Sequence, residues 1–238
     1  MINKIIKYLI MQTGYELINK KKLTTTDLLG LKHLDINNII DVGANRGQFL
    51  TNYYKHFPNT HYFCFEPLTE EFKELENVSK RIGNNIITVN SAFGNLEGNI
   101  ILHQHKHSPS SSILDTTNKC NELFPQTRNQ NDIELSITTM DNYFKDILDE
   151  DYKNILLKID VQGFELEVLK GAQKTLNMIS TCLLEINFSI LYKNQACFNE
   201  TYEFLHTRGF EYAGAIDQNF KDDCQLVCSD MLFAREMM

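Results

Sequence analysis

A short turn with two glycines, placed between an apolar run and a helical pattern, constrains this chain more than any other feature. The apolar run Ile39–Val42 carries the acid Asp41 and leads into Gly43-Ala-Asn-Arg-Gly47. About 20 residues further on, a second apolar run ends in Glu66. This layout is typical of an α/β domain that binds a nucleoside, because the turn brings the ligand against backbone and the acid accepts hydrogen bonds from ribose hydroxyls.

The spacing of the glycines indicates which nucleoside fits. A dinucleotide-binding turn carries a middle glycine that admits a pyrophosphate. Here Asn45 stands in that place, between Gly43 and Gly47. The turn therefore favours a ligand without a pyrophosphate, such as S-adenosylmethionine. An NAD-dependent dehydrogenase and a noncatalytic nucleoside-binding regulatory module stay open as alternatives.

Strand and helix patterns alternate along the chain, which predicts a mostly parallel α/β domain over residues 37–238 behind a helical extension over residues 1–36. The predicted strands are Ile39–Val42, Tyr62–Glu66, Ile86–Ser91, Ile100–His103, Ile133–Ile137, Ile155–Asp160, Cys182–Ile186, Phe210–Ile216 and Gln225–Phe233. The predicted helices are Gly47–His56, Thr69–Ile82, Thr139–Leu148, Phe164–Met178 and Phe198–Arg208. The last two strands, joined by a polar segment without a helix, predict a closing hairpin.

Four segments together resemble the FkbM-type methyltransferases: Asp41–Phe49, Phe65–Pro67, Ser110–Ser112 and Lys158–Ala172. The resemblance runs from about Ile39 to the C terminus, and the last segment is the most specific to the family. It implies a Rossmann-like class I fold, with a seven-stranded, mostly parallel sheet, an antiparallel last strand and helices on both faces. It also implies S-adenosylmethionine as the cofactor and O-methylation of a sugar, glycan or other small molecule as the reaction.

The predicted cofactor residues follow the strands, because open α/β sheets bind ligands at the carboxyl ends of their strands. Glu66 is predicted to bind the ribose, or alternatively to serve the N-terminus of the next helix. Free N–H groups of Asn45 and Arg46 are predicted to meet the cofactor's carboxylate. Asp41 either binds the cofactor's amino group or holds the turn. Gly43 and Gly47 are predicted beside the methionine portion, and Asn90, Ala92 and Phe93 at the adenine. The resemblance implies a place for Ser112 beside the cofactor.

The full set of predicted cofactor residues is Asp41, Gly43, Asn45, Arg46, Gly47, Glu66, Pro67, Asn90, Ala92, Phe93, Ser112 and Asp160.

Asp160 is the strongest candidate for catalysis. It follows the apolar run Ile155–Ile159, and a carboxylate ending such a run is costly to bury unless it is compensated. Asp160 is a candidate general base, with Lys158 on the same side of its strand and Glu185 at the end of the neighbouring strand. The alternative is that Asp160 caps the following helix and Glu165 supports the first turn of that helix.

Three histidines offer a second set of candidates. His103, His105 and His107 alternate along a predicted strand, so they could converge on a metal or on an acceptor hydroxyl. An exposed strand edge is the alternative. We predict no metal site and take His105 as the candidate catalytic histidine. Cys224 and Cys228 could form a metal or disulfide pair, but no second pair of ligands accompanies them, so reduced thiols are expected.

The polar stretch Lys106–Asp132 is too long for an ordinary connection and predicts a lid or acceptor loop. It contains Ser110–Ser112. The segment Phe188–Cys197, with Tyr192 as a polar aromatic tip, is the second candidate for contact with the acceptor. The sequence predicts a small-molecule or glycan acceptor without indicating which one.

Charge and composition bear on partners and location. The formal net charge of −8, from 23 basic and 31 acidic residues, argues against a nucleic-acid partner. Lysines interrupt the apolar stretch Met1–Met11, which therefore predicts neither a signal peptide nor a transmembrane helix. Its spacing predicts an amphipathic helix that packs on the domain, joins subunits of a homo-oligomer or lies on a membrane surface. A cytoplasmic location is expected from the cysteines, which show no disulfide pattern.

Overall fold

Strands and helices alternate along the chain in a computed structural model that describes residues 31, 34–149, 152–221 and 224–235. The strands are β1 (Asn38–Val42), β2 (His61–Phe65), β3 (Ile86–Val89), β4 (Ala92–Phe93), β5 (Gly98–His105), β6 (Gln130–Thr138), β7 (Ile155–Ile159), β8 (Ile179–Asn187), β9 (Phe210–Phe220) and β10 (Leu226–Arg235). The helices are α1 (Gln48–Tyr53), α2 (Thr69–Ile82), α3 (Asn118–Leu123), α4 (Met140–Phe144), α5 (Glu165–Lys170) and α6 (Phe198–His206). The predicted amphipathic helix at the N terminus, with its subunit contact, lies outside the described residues.

A seven-stranded sheet has the strand order β3-β2-β1-β7-β8-β10-β9. Strands β3, β2, β1, β7 and β8 are parallel, and β10 runs antiparallel to both β8 and β9. This arrangement confirms the predicted fold and its closing hairpin. The strand order reverses between β1 and β7, so a crevice forms beyond the carboxyl ends of these two strands.

Burial explains why β1 and β7 lie at the centre. All five residues of each strand are buried, as expected for parallel strands that are covered on both faces. Alternate residues point to opposite faces. One face packs Ile40 and its neighbours against α4, α5 and α6, and the other packs Ile39 against α1 and α2. Helices therefore cover both faces of the sheet, as the resemblance implied.

A second sheet, with the order β4-β6-β5, lies beside the first. The prediction of a polar loop over Lys106–Asp132 is wrong for much of this stretch, which contains α3, two short 3-10 turns and the first residues of β6. Thr117 caps α3 by accepting a hydrogen bond from the Cys120 amide. Cys120 also packs with Tyr192 in a small hydrophobic cluster of its own. This local core gives the segment enough buried surface to fold.

Three predicted helices are shorter than expected. The helix predicted over Phe164–Met178 ends at Lys170 and resumes as a 3-10 turn over Thr175–Met178. The carboxylate of Asp141 accepts hydrogen bonds from the amides of Lys174 and Thr175, which starts that turn separately. The helices predicted over residues 47–56 and 139–148 correspond to α1 and α4. Within the described part of the chain, no helix combines the length and apolarity needed to cross a membrane.

Candidate active site

A cleft of about 660 Å³ opens where the strand order reverses. The glycine turn and α1 form one wall, and the ends of β7, β8 and β10 form the other. The segment after β5, with Ser108, Ser111 and Ser112, contributes further lining residues. Among the lining residues are Gly43, Asn45, Phe49, Tyr53, Glu66, Pro67, Ala92, Phe93, Ser108, Ser112, Lys158, Asp160, Gln162, Glu185, Asp217 and Asp230.

Both glycines of the turn allow close packing of the chain, and Gly43 also lines the cleft. Gly43 has a φ of +77°, and a Cβ atom there would overlap the carbonyl oxygen of Asp160. Gly43 is therefore needed for the close approach of the ends of β1 and β7. A Cβ atom on Gly47 would meet Leu75 and Val78 of α2 at 3.2 and 3.3 Å. Gly47 lies outside the cleft lining, in contrast to its predicted place beside the methionine portion.

Glu66 supports the start of the next helix, one of its two predicted roles, and it also lines the cleft. Its side chain is buried, its Oε2 accepts from the Asn45 amide and its Oε1 from the Leu68 amide, both at 2.9 Å. These bonds fix the glycine turn and the start of α2. Burial raises the pKa of Glu66 to about 7, and the two backbone donors offset part of that rise. A carboxylate offers about four lone-pair sites, so two acceptor sites remain for a ligand.

Asn45 and Arg46 do not offer the free N–H groups that the sequence predicted. The Asn45 amide donates to Glu66, and the Arg46 amide donates to Oε1 of Gln48 at 3.0 Å. The Arg46 side chain turns to Glu71, 3.3 Å away, outside the cleft. Asn45 still lines the cleft, where its Nδ2 lies 3.3 Å from the Ser108 hydroxyl. The prediction for Arg46 is therefore not supported by this geometry.

The residues predicted at the adenine differ in their position relative to the cleft. Ala92 and Phe93, both predicted at the adenine, line the cleft, and so does Pro67, which follows Glu66. Asn90 lies behind them, and its amide donates to the carbonyl oxygens of Glu66 and Pro67 at 2.8 and 2.9 Å. Asn90 thus ties down the chain after β2 instead of facing the cleft.

A buried ammonium joins β1 to β7. Lys158 lies opposite Asp41 in the strand register, with its Nζ 3.0 Å from Asp41 Oδ1, 3.1 Å from the Gly43 carbonyl and 3.6 Å from Asp160 Oδ2. Burial alone would lower the pKa of Lys158, but the carboxylates of Asp41 and Asp160 raise it, so we assign it as charged. Burial raises the pKa of Asp41, against the attraction of Lys158. Asp41 is fully buried and does not line the cleft; its ion-pair partner Lys158 also donates to the Gly43 carbonyl of the turn.

Asp160 and Glu185 meet at the cleft, as predicted. The Gln162 amide nitrogen lies 2.8 Å from Asp160 Oδ1 and 2.6 Å from Glu185 Oε2. Burial raises the pKa of Glu185 well above its usual range, and the charges of Asp160, Glu165 and Asp230 raise it further. Burial likewise raises the pKa of Asp230 to about 6. The carboxyl groups on this wall therefore differ in how readily each one ionises.

The alternative role of Asp160 as a helix cap is wrong, because α5 begins at Glu165 and Phe164 occupies the N-cap position. Glu165 instead supports the turn before the helix. Its Oε1 accepts from the amides of Val161 and Gly163, both at 3.0 Å. Burial raises the pKa of Glu165 to about 7, although its backbone hydrogen bonds lower it.

This buried carboxyl should make stability fall as pH rises. A folded-state pKa of about 7, against 4.5 for a free glutamate, gives stability that is present below pH 4.5 and lost as pH rises through 7. Glu165→Gln keeps an acceptor oxygen and removes the charge. We expect its unfolding free energy, relative to the parent, to increase by about 2 kcal/mol between pH 5 and pH 8 in urea titrations. Glu74→Gln, at an exposed position of α2, is the control; equal pH dependence of the two variants would contradict the assignment.

The histidines do not converge. His105 is buried outside the cleft, with Nδ1 3.2 Å from the Asn129 carbonyl, and burial lowers its pKa. His103 lies between Asp115 and Asp132, at 3.3 and 2.7 Å. In the described ranges, no group of three His, Cys, Asp or Glu side chains is placed to hold a metal ion. The geometry does not support His105 as a catalytic residue.

Several lining residues were missed by the sequence reasoning. Phe49 and Tyr53 stack with ring centroids 4.2 Å apart and form the α1 wall, a pair that the i, i+4 spacing could have indicated. Asp230 pairs with Glu185 across β10 and β8. No local signal marks Asp230, because its position depends on strand register. Tyr192, predicted to touch the acceptor, is buried, and its hydroxyl donates to Gln162 Oε1 at 2.7 Å.

Comparison with known proteins identifies relatives of this chain. A sequence model of the Methyltransferase FkbM domain matches residues 41–212. "Methyltransferase 1" of Beauveria bassiana (strain ARSEF 2860) is 23% identical over 195 residues, covering 75% of this chain and 74% of that protein.

Comparison with solved structures gives two further matches. The structure of methyltransferase FkbM from Methylobacillus flagellatus KT matches with a TM-score of 0.51 and 16% identity, covering 84% of this chain. This chain spans 44% of the length of that one. Magnesium protoporphyrin IX methyltransferase from Synechocystis PCC 6803, solved with bound SAM, matches at a TM-score of 0.47 and 10% identity, covering 98% of this chain and 96% of the other.

Proposed function

Because this chain belongs to the FkbM methyltransferase family, we propose that it transfers the methyl group of S-adenosylmethionine to a hydroxyl group of a small molecule or glycan. One observation carries the proposal. One cleft is lined by the buried Glu66, at the carboxyl end of β2, and by Asp160, beside the Lys158 ammonium, at the carboxyl end of β7. The first end suits a ribose, and the second suits an acceptor hydroxyl that must lose a proton.

The donor end fits the nucleoside part of S-adenosylmethionine. Two acceptor sites of Glu66 are left for the ribose hydroxyls, and charge-assisted hydrogen bonds of this kind are among the stronger ones. Pro67, Ala92 and Phe93 offer an apolar border for the adenine. When bound, S-adenosylmethionine supplies an electrophilic methyl group on a sulfonium.

At the acceptor end, Asp160 accepts the proton of the hydroxyl while the hydroxyl oxygen forms its bond to the methyl carbon and the carbon–sulfur bond breaks. The products are a methyl ether and S-adenosylhomocysteine. The Lys158 ammonium lies 3.6 Å from Asp160 Oδ2, so a positive charge faces this carboxyl group. A base so placed contributes about 10²–10⁴-fold, and alignment of the reactants contributes more.

A cytoplasmic location is also proposed. The six cysteines are free, two of them exposed. Exposed thiols persist in reducing compartments.

The experiment that tests the reaction uses S-adenosylmethionine with an isotope-labelled methyl group and a panel of neutral sugars, glycosides and phenols, matched with amines. Label in a methyl ether, located by mass spectrometry and NMR, is the expected result. Label that appears in the amines while every hydroxyl acceptor stays unlabelled would overturn the proposed O-methylation.

A further inference from the structure

The side-chain amide of Gln162 occupies the space between the two carboxyl groups at the acceptor end. Its nitrogen lies 2.8 Å from Asp160 Oδ1 and 2.6 Å from Glu185 Oε2. Its oxygen accepts from the Tyr192 hydroxyl at 2.7 Å. Both N–H groups and the carbonyl oxygen of this amide therefore form hydrogen bonds, and these bonds hold the amide in one orientation.

We infer that Gln162 is a positioning residue that holds Asp160 and Glu185 in one fixed arrangement against the acceptor hydroxyl. The inference rests on the proposed function, because that function assigns the proton to Asp160. Gln162 acts through the two carboxyl groups, and Tyr192 acts through Gln162.

The backbone at Gln162 indicates a role for its side chain. Its φ is +56°, in the left-handed region that residues other than glycine, asparagine and aspartate seldom adopt. Glycine or asparagine would adopt this turn at lower cost. The Ser112 hydroxyl donates to the Gln162 carbonyl oxygen at 2.7 Å, and Glu165 binds the amides on both sides. The surroundings thus stabilise an unfavourable backbone conformation, which presents the amide to the two carboxyl groups.

Charge explains why an amide is needed there. Several groups face Glu185: Lys158 from β7, Asp160 directly after β7, Glu165 from α5, Asp230 and Cys228 from β10, and Tyr192. Only one of these groups is cationic, and Lys158 already contacts Asp41. Without the amide, the two carboxyl groups would share a proton or move apart. Two N–H donors allow both groups to stay in place.

Tyr192 determines which end of the amide faces the carboxyl groups. Its hydroxyl also lies 3.2 Å from the Ser110 carbonyl, farther than its 2.7 Å contact with Gln162 Oε1. A donor at Oε1 directs the amide nitrogen toward Asp160 and Glu185. Tyr192→Phe removes the hydrogen bonds of this hydroxyl to Gln162 and Ser110. Neither Tyr192 nor Ser110 lines the cleft, so the variant tests the amide orientation without altering the cleft surface.

The test compares Gln162→Gly, Gln162→Asn and Tyr192→Phe with the parent. Glycine and asparagine both tolerate the left-handed turn, and the asparagine amide is one methylene too short to bridge. We expect melting temperatures of these two variants near the parent value, affinity for S-adenosylhomocysteine within about threefold, and kcat lower by about 10–100-fold. The acid limb of the kcat profile should move up by about one pH unit, because two donors to carboxylates are lost. Tyr192→Phe should show the same changes at smaller size.

A readout that needs no acceptor separates this inference from the proposed function. Carboxyl ¹³C NMR, assigned with Glu185→Gln, should show the Glu185 midpoint about one pH unit higher in Gln162→Gly than in the parent. An unchanged midpoint in a folded Gln162→Gly variant overturns the inference. The inference is also overturned if kcat of this variant lies within threefold of the parent value and its pH profile does not move. Failure of the parent to methylate any hydroxyl would instead overturn the proposed function, and the NMR titration would still decide the role of Gln162.

Discussion

Gly43→Ala should destabilise the fold by about 3 kcal/mol or more and abolish binding of S-adenosylmethionine. The added Cβ would overlap the Asp160 carbonyl oxygen, and the φ of +77° is unfavourable for alanine. The overlap involves backbone at the end of β7, so no side-chain rotation can relieve it. Urea unfolding and calorimetry with S-adenosylmethionine measure the two effects.

Gly98→Ala is a matched control for this prediction. Gly98 also has a positive φ, +149°, but no atom lies within 4 Å of its added Cβ. This variant should lose only the stability that the positive φ costs an alanine, about 1–2 kcal/mol. Equal losses for the two variants would show that strand contact is not the reason for Gly43. From the sequence, Gly43 was predicted to lie beside the methionine portion of the cofactor. Its contact with the Asp160 backbone leads us to expect that stability and binding are lost together.

Asp160→Asn should lower turnover by about 10²–10⁴-fold while affinity for S-adenosylmethionine stays within about threefold. Asparagine keeps the size of the side chain and an oxygen for the Gln162 amide, but it cannot accept the hydroxyl proton. The α5 cap is unaffected, since Asp160 does not form it. Initial rates with a hydroxyl acceptor that the parent methylates give kcat, and calorimetry gives the affinity for S-adenosylmethionine.

Asp35→Asn, at an exposed position before β1, is the control and should keep kcat near the parent value. Turnover of Asp160→Asn within about threefold of the parent is too small a change for a lost general base. Strong loss of cofactor affinity with little change in kcat would instead place Asp160 against the methionine portion. Either result would contradict its role as the base.

The parts of the fold that depend on local pattern could be predicted from sequence. The uninterrupted burial of β1 and β7 follows from their apolar runs, and α2 has the predicted limits, Thr69–Ile82. The 106–132 segment was misjudged because its order comes from contacts with Leu191 and Tyr192, far along the chain. Periodicity within a segment carries no information about such a partner.

Some residues of the site could likewise be predicted from local pattern, and others could not. Glu66, Asp160 and Lys158 end or precede the end of apolar strands, so their place at the crevice was predictable. Asp230 was not, because only the antiparallel register of β10 brings it beside Glu185. The sequence also carries no signal for the direction of a side chain: Arg46 turns to Glu71, and His105 is buried at the end of β5, outside the cleft lining.

Calorimetric titration of S-adenosylmethionine into the parent and into Glu66→Gln, at pH 6 and pH 8, tests the central assignment most directly. The parent should bind, and its affinity should rise by up to about tenfold from pH 6 to pH 8, since Glu66 has a pKa near 7 and its ionised form accepts the ribose hydrogen bonds. Glu66→Gln should bind about 2 kcal/mol more weakly at pH 8 and lack this pH dependence. Equal affinity of parent and variant at pH 8, or no binding to the parent, would contradict the account.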